Sequence, residues 1–154
     1  MAGCVIRVAQ ISDREALVEM RVLLWPELPA EEQRDEVDAW FAGGTASALP
    51  ATMLMAVDES GSPIGFLEAA LRSHADGCDV ARPVGYVEGW FVREAFRGRG
   101  VGAALMQAAE DWARGHGCRE MASDALTDNV GSQNAHAAMG FEVVDRCVHY
   151  RKPL

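Results

Sequence analysis

The stretch Arg97-Gly98-Arg99-Gly100-Val101-Gly102 decides the fold prediction, because it joins a strand-like segment to a helix-like one. The apolar segment Tyr86 to Val92 precedes it, and the amphipathic run Val101 to Arg114 follows it. A strand that turns through glycines into a helix leaves backbone N–H groups unpaired at the positive end of the helix dipole. Glycines let an anion approach these groups, while Arg97 and Arg99 add positive charge at the rim. The hexamer therefore predicts a phosphate-binding turn.

Two other phosphate-binding motifs do not fit this hexamer. A Walker-type loop requires a Lys and a Ser or Thr after its last glycine, but Val101 and Gly102 occupy the corresponding positions. A Rossmann fingerprint lies near the start of a βαβ unit, whereas these glycines fall late in the chain. The sequence therefore argues against nucleotide hydrolysis and dinucleotide binding. A flexible surface turn is the remaining alternative for the hexamer taken alone.

Length, composition and charge narrow the class of protein. The 154 residues, 49% of them hydrophobic, predict one domain spanning residues 1–154 with a core of its own. The formal net charge of −9 argues against nucleic-acid binding and favours cationic partners. No apolar run approaches the roughly 20 residues that cross a bilayer, and the N-terminus lacks a signal-peptide pattern. We therefore expect a cytoplasmic protein with no membrane partner.

The cysteine and histidine residues are scattered along the chain. No Cys-x-x-Cys pair occurs, and no histidine has metal-ligand spacing with a cysteine. The sequence thus predicts free thiols and no metal site. The residues concerned are Cys4, Cys78, Cys118, Cys147, His74, His116, His136 and His149.

Hydrophobic periodicity and turn residues predict a mixed α/β fold. We expect the first helix to begin with a capping box of Ser12 and Glu15, and Glu59 to Ser62 to turn a hairpin. The predicted strands are Val5 to Ala9, Met53 to Asp58, Pro63 to Arg72, Tyr86 to Val92, Met121 to Ala125 and Phe141 to Tyr150. The predicted helices are Ser12 to Leu24, Ala30 to Phe41, Val101 to Arg114 and Gln133 to Met139. Their order, βααβββαβαβ, describes a central mixed β-sheet flanked by helices.

The pattern Arg97-x-x-Gly100-x-Gly102 resembles the pyrophosphate-binding motif of the GCN5-related N-acetyltransferases. Asn129 and the segment Ala135 to Phe141, which ends in Gly-Phe, follow at the separation usual for that family. The resemblance covers most of the chain and implies the family's fold and acetyl-CoA as co-substrate. Turn chemistry with Asp128 is an equal alternative for Asn129. The residues implied to bind coenzyme A are Phe91, Val92, Arg97, Gly98, Arg99, Gly100, Val101, Gly102 and Asn129.

Within this family, the chain looks like the aminoglycoside 6′-N-acetyltransferases. The similarity lies in Leu23 to Pro26, Phe66 to Ala69, Val87 to Gly89, Ala122 to Ala125 and Gly140 to Arg146. It implies an acceptor site with an aromatic face and several carboxylates, which suits polycationic sugars in charge and in shape. His74 stands where the subgroup carries an aromatic residue, so the resemblance leaves open which aminoglycosides bind. The residues implied to bind the acceptor are Trp25, His74, Glu88, Asp124 and Asp145.

Acetyl transfer from a thioester to an amine requires a base, a donor for the oxyanion and a proton for the leaving thiolate. Glu88 is a candidate base because it lies on an apolar strand, where a carboxylate needs a partner. Asp124 is a second candidate because it follows the next strand, and strand ends hold ligands. His136 stands where many family members have a tyrosine that protonates the thiolate. The alternatives are a solvent-facing Glu88, a turn or cap role for Asp124, and simple packing for His136 and Trp25.

Two other functions are compatible with the same sequence. One is acetylation of another cationic amine, namely a protein N-terminus, a lysine or a polyamine. The other is a non-catalytic acyl-CoA-binding domain, which would keep the glycines but not need the carboxylates. The segment Cys147 to Lys152 alternates like an edge strand, and relatives in the subgroup are often dimers, so we expect a homodimer.

Overall fold

The computed structural model describes residues 3–44 and 48–154. Within these ranges it contains one sheet of five strands and four α-helices. The strands are β1 (Val5–Val8), β2 (Ala51–Val57), β3 (Pro63–Arg72), β4 (Val84–Val92) and β5 (Met121–Ser123). The helices are α1 (Arg14–Leu24), α2 (Ala30–Phe41), α3 (Val101–Gly115) and α4 (Val130–Ala138). Short 3-10 helices cover Ile11–Asp13 and Glu94–Phe96.

The sheet has the strand order β1-β2-β3-β4-β5. Neighbouring strands are antiparallel except β4 and β5, which are parallel and are connected through α3. A parallel pair needs such a crossover, since its second strand must start at the same edge of the sheet as its first. The predicted mixed α/β class is therefore confirmed.

Helices cover both faces of the sheet, which explains why β2 and β3 are apolar along most of their length. On one face α3 packs with Val101, Leu105 and Ala109 against strand residues such as Leu67 and Val87. On the other face α1 and α2 pack against a second group of strand residues, which are Met53, Met55, Val57, Phe66 and Phe91. The spacing of the apolar residues on α3 predicted this buried stripe.

The hairpin between β2 and β3 forms as predicted. Gly61 has a φ of 82°, and the Asp58 carboxylate accepts hydrogen bonds from the backbone N–H groups of Ser60 and Ser62, both at 2.9 Å. Glycine suits this left-handed position and Asp stabilises turns through such bonds.

The predicted capping box of Ser12 and Glu15 is wrong. The Gln10 and Asp13 pair forms a capping box instead, around the 3-10 helix Ile11–Asp13, and α1 starts only at Arg14. The cause is a contact outside the local sequence, because Asp13 binds Arg7 of β1 at 2.6 and 2.9 Å. The α-helix therefore begins at Arg14, one residue later than an N-cap at Ser12 would give.

The predicted closing strand from Phe141 to Tyr150 does not form in this structure, where residues 141–154 are neither strand nor helix. A strand needs a ladder partner, and β5 itself is only three residues long. The segment therefore leaves apolar side chains exposed, among them Val143, Val144 and Val148. Several boundaries also differ from prediction by one to three residues; for example, β5 ends at Ser123 and α4 begins at Val130.

Candidate active site

The strands β4 and β5 pair over a short distance and then separate. Their parallel ladder runs from Gly85 opposite Met121 to Val87 opposite Ser123, although β4 continues to Val92. Beyond Val87, the β5 side of β4 therefore presents backbone groups that this ladder does not use. An unpaired strand edge of this kind can bind an extended chain through main-chain hydrogen bonds.

A bulge in β4 lies directly beside this opening. Glu68 of β3 pairs with Gly89, and Ala69 pairs with Val87, so Glu88 has no opposite residue. A bulged residue changes the alternation of side chains, which brings Glu88 and Gly89 to the same face. A Cβ on Gly89 would come within 2.7 Å of the Trp25 ring, so the glycine allows this tryptophan to lie against the strand.

This face contains an acidic pocket of about 220 Å³. Trp25 forms one of its walls and packs edge-on against Phe66, with 6.5 Å between ring centroids. The pocket therefore combines an aromatic wall with three carboxylates and a single guanidinium. Its lining residues are Arg21, Trp25, Leu28, Glu36, Glu68 and Glu88.

Arg21 contacts several of the side chains that line the acidic pocket. Its side chain is buried and forms ion pairs with Glu36 and Glu68, while its Nε donates to Gln33 Oε1 at 2.8 Å. The guanidinium also lies 4.8 Å from the centre of the Trp25 ring. A buried arginine with several partners in fixed geometry restrains each of them, so Arg21 positions Trp25.

Glu68 is a site residue that sequence reasoning missed. Burial raises its pKa above the ordinary value, Arg21 opposes this shift, and the carboxylates of Glu88 and Glu36 add to it. A carboxylate that is partly desolvated among other carboxylates gains from a cationic ligand. The signal was present in the sequence, since Glu68 interrupts an apolar strand just as Glu88 does.

Two side chains, Arg72 and Tyr86, connect the two candidate bases. Arg72 donates to both oxygens of Glu88 at 3.0 and 2.7 Å and lies 3.4 Å above the Tyr86 ring. The Tyr86 hydroxyl in turn donates to Asp124 Oδ2 at 2.6 Å. Burial and this hydrogen bond raise the pKa of Tyr86, so the phenol keeps its proton. The structure thus links Glu88 and Asp124 through hydrogen bonds at each end and one cation–π contact between Arg72 and Tyr86.

The predicted phosphate-binding turn leads from β4 into α3. Gly98 and Gly100 have φ values of 70° and 84°, and Gly100 is the N-cap of α3. None of the described side chains forms a capping hydrogen bond there, and the first turn of α3 carries no acid. Its amides are therefore available to an anion. A Cβ on Gly102 would lie 3.2 Å from the Trp90 ring, so the close packing of the first turn of α3 against Trp90 also depends on glycine.

Arg97, Arg99 and Asn129 flank this turn in different ways. Arg97 Nε donates to the Val92 carbonyl at 2.9 Å, which ties the turn to the end of β4. The Arg99 guanidinium lies 5.7 Å from the Phe96 ring. The Asn129 side chain is the N-cap of α4 and accepts from the Ser132 N–H at 3.0 Å. That capping bond agrees with the turn interpretation of Asn129, and a bond to coenzyme A stays a prediction.

His136 lies on α4 and reaches the point where β4 and β5 separate. Its Nε2 is 2.8 Å from Ser123 Oγ, and its Nδ1 is 2.7 Å from the Ser132 carbonyl oxygen. Trp90 and Phe141 contact the imidazole edge-on, with 5.5 and 5.3 Å between ring centroids. These contacts fix the position of the imidazole. Its Nε2 points to Ser123, at the end of the ladder between β4 and β5.

Two predicted acceptor residues lie outside the acidic pocket. His74 is exposed in the loop after β3 and is 3.6 Å from Asp76. Asp145 is exposed in the C-terminal segment, where its carboxylate accepts from the Arg146 N–H. Their roles in acceptor binding stay predictions. Residues 3–44 and 48–154 contain no cluster of three His, Cys, Asp or Glu residues arranged to hold a metal, and none of their helices could cross a membrane.

A mixed sheet that opens beside a bulge, next to a glycine turn and a helix N-terminus, defines the class of protein. The chain belongs to the acetyltransferase (GNAT) family, whose model matches residues 17–141.

Individual proteins similar to this chain have a more specific description than the family. The chain is 40% identical to an aminoglycoside N(6′)-acetyltransferase type 1 from Klebsiella aerogenes, over 97% of this chain and 96% of the relative. A protein of the same name from Stenotrophomonas maltophilia is 36% identical, over 97% and 93% of the two chains. Among solved structures, the enzyme AAC(6′)-Iy in complex with the bisubstrate analogue CoA-S-monomethyl-acetylneamine superposes with a TM-score of 0.86. It is 34% identical, and the match covers 99% of this chain and all of that one.

Proposed function

We propose that this protein is an acetyl-CoA-dependent N-acetyltransferase that acetylates the 6′-amino group of aminoglycosides by direct transfer. The observation that carries this proposal is the acidic pocket, which lies at the bulge of β4 beside the unpaired edge of the same strand. A cationic acceptor and an extended donor can therefore meet at one strand. The names of the similar proteins support this choice of donor and acceptor.

The donor is held by backbone groups in this proposal. The free amides of Val101 and Gly102 and the glycine turn before them take the pyrophosphate, with Arg97 and Arg99 at the rim. The edge of β4 beside Phe91 and Val92 takes the pantetheine arm. The chain fits such a ligand, because two positive-φ glycines and a side-chain-free N-cap keep the approach open. The co-substrate supplies an activated acetyl group.

The acceptor is held by charge and by an aromatic face. Glu88 and Asp124 bind its ammonium groups, and Trp25 packs against the sugar ring. One of the two carboxylates removes a proton from the 6′-ammonium, because only the free amine is a nucleophile. The amine then attacks the thioester carbonyl, and a backbone N–H near Val92 stabilises the oxyanion. The C–S bond breaks as the tetrahedral carbon collapses, and His136 is the source of the proton for the thiolate. The nitrogen, which carries two protons after the attack, releases one of them to solvent to give the neutral amide.

A competition between acceptors tests this function. The protein is incubated with acetyl-CoA and, separately, kanamycin, tobramycin, spermidine and a lysine peptide, and thiol release is followed. We expect the highest kcat/KM with the two aminoglycosides. Absence of turnover with any aminoglycoside at millimolar concentration would rule the proposal out, and a preference for spermidine or the peptide would assign the site to another cationic amine.

We also propose that the protein is a cytoplasmic homodimer. Val143, Val144, Val148 and Tyr150 are more than half exposed in the C-terminal segment, and a second copy of this chain could cover such a surface. The location follows from the donor, since acetyl-CoA is supplied inside the cell. Sedimentation equilibrium tests the dimer, and fractionation of expressing cells tests the location. A monomer at micromolar concentration contradicts the first, and enzyme in the periplasmic fraction contradicts the second.

A further inference from the structure

Both ring nitrogens of His136 already have partners. Nδ1 lies 2.7 Å from the Ser132 carbonyl oxygen, which can only accept a hydrogen bond, and 3.3 Å from Ser132 Oγ. The shorter contact assigns a proton to Nδ1 in either charge state. Nε2 faces Ser123 Oγ at 2.8 Å. The Ser123 hydroxyl therefore lies between the nitrogen that could give up a proton and the opening between the strands.

Ser123 is placed at the apex of that opening. It is the last residue of β5 in the ladder, opposite Val87, and Glu88 follows Val87 as the bulged residue. Its Oγ donates a part-buried hydrogen bond of 3.4 Å to the Val87 carbonyl oxygen, which places the hydroxyl where the two strands separate. An extended donor that enters from the α3 end of β4 reaches its far end at this apex.

The fixed ring accommodates both protonation states. When the imidazole is neutral, Ser123 donates to Nε2. When it is protonated, Nε2–H donates to Ser123 Oγ, and the serine hydrogen then has only the long 3.4 Å bond to the Val87 carbonyl oxygen, from which it can turn to a ligand. Trp90 and Phe141 pack edge-on against the ring, and neither exchange of hydrogen bonds requires the ring to move.

We propose that Ser123 is the catalytic residue that protonates the leaving thiolate and that His136 acts through it as a positioning and relay residue. The inference rests on the proposed acetyl transfer. The Ser123 O–H bond breaks as the S–H bond of coenzyme A forms, while the His136 Nε2–H bond breaks and restores the serine hydroxyl. The histidine is left neutral with its proton at Nδ1, and solvent water returns the second proton to Nε2 before the next turnover.

Single-turnover kinetics with Ser123→Ala and Ser123→Thr test the relay. We expect Ser123→Ala to lower the rate of acetyl transfer about a hundredfold with an unchanged KM for acetyl-CoA, because only proton donation is lost. Ser123→Thr keeps a hydroxyl and is expected to restore most of the rate. Thr52→Ala removes a hydroxyl from a buried position on β2 and is the control for effects of the sheet. An unchanged rate in Ser123→Ala overturns the relay and leaves the proposed function standing.

A binding measurement keeps the relay testable if the proposed function fails. The ring signals of His136 are assigned by their loss in His136→Gln and followed by NMR during titration with coenzyme A and with desulfo-coenzyme A. We expect only the ligand with a thiol to move the Nε2 signal strongly, and Ser123→Ala to abolish the difference. Identical shifts with both ligands overturn the relay, whether or not aminoglycosides are acetylated.

Discussion

Arg72 clasps Glu88 through two hydrogen bonds while its guanidinium lies over the ring of Tyr86. The carboxylate proposed to bind the acceptor is therefore paired with a cation of the chain itself. An acceptor ammonium that binds Glu88 must compete with this arginine.

Replacement of Arg72 tests this competition. We expect Arg72→Gln to lower the KM for aminoglycosides up to about fivefold, because a partly exposed ion pair is weak and its removal frees the carboxylate. Arg114→Gln removes the same charge at the far end of α3, where the arginine pairs with Glu110 and Asp111, and controls for net charge. A higher KM in Arg72→Gln alone would show that Arg72 instead orients Glu88 for binding.

Substitution of the two candidate bases separates chemistry from donor binding. We expect kcat to fall on the order of a hundredfold in Glu88→Gln or Asp124→Asn, whichever removes the base. Coenzyme A should bind both variants as it binds the wild type in calorimetry, because neither side chain lies at the glycine turn. Glu59→Gln, in the exposed β2–β3 hairpin, is the control. Full turnover in both site variants would refute the assignment of the base.

The two ends of α3 offer a matched test of the phosphate-binding turn. Gly100 and Gly117 have φ values of 84° and 81°, and a Cβ on either would meet nothing within 4 Å. Alanine at either position should therefore destabilise the protein by a similar amount, about 1 kcal/mol. Only Gly100→Ala is expected to weaken coenzyme A binding, by about tenfold, since it adds a methyl group to the anion site. Equal affinities in the two variants, measured by calorimetry, would place the pyrophosphate elsewhere.

Asp13 makes the free energy of unfolding depend on pH in the acidic range. Its hydrogen bond to Arg7 lowers its pKa below the ordinary value of 3.8, so below that pH the unfolded chain takes up a proton before the folded one does. The stabilisation is present above pH 3.8 and is lost as the pH falls through the lower pKa of the folded state. We expect Asp13→Asn to reduce the free energy of unfolding by about 2 kcal/mol at neutral pH.

Urea denaturation at several pH values checks this expectation. The difference between the wild type and Asp13→Asn should shrink as the pH falls below 3.8. Asp111→Asn alters an exposed pair on α3 and should change little at any pH. A difference that stays constant with pH would mean that the ionised Asp13 is not what stabilises the fold.

Local patterns predicted the parts of the fold that depend on neighbouring residues. The glycine turn before α3 and the hairpin at Gly61 form as expected, because backbone conformation there is set by glycine itself. Contacts between distant segments were not predictable in this way. Asp13 binds Arg7 of β1, and the predicted N-cap at Ser12 does not form. The segment from Phe141 to Tyr150 has the alternating apolar residues of a strand but forms no strand.

The same distinction applies to the site. Glu88, Asp124 and Trp25 could be predicted from their positions in apolar strands and at element ends, together with the family resemblance. Glu68 shares that sequence signal, but its contacts could not be predicted, because they depend on the bulge beside Gly89 and on the buried Arg21. The pairing of Ser123 with His136 likewise depends on where α4 packs, which no local pattern encodes.

The position of the acetyl group on the product distinguishes 6′-N-acetylation from every other outcome. Kanamycin is incubated with the protein and acetyl-CoA, and the product is purified and examined by two-dimensional NMR. We expect a single acetyl group on the 6′-nitrogen. An acetyl group on any other nitrogen, or unmodified kanamycin, would contradict this expectation.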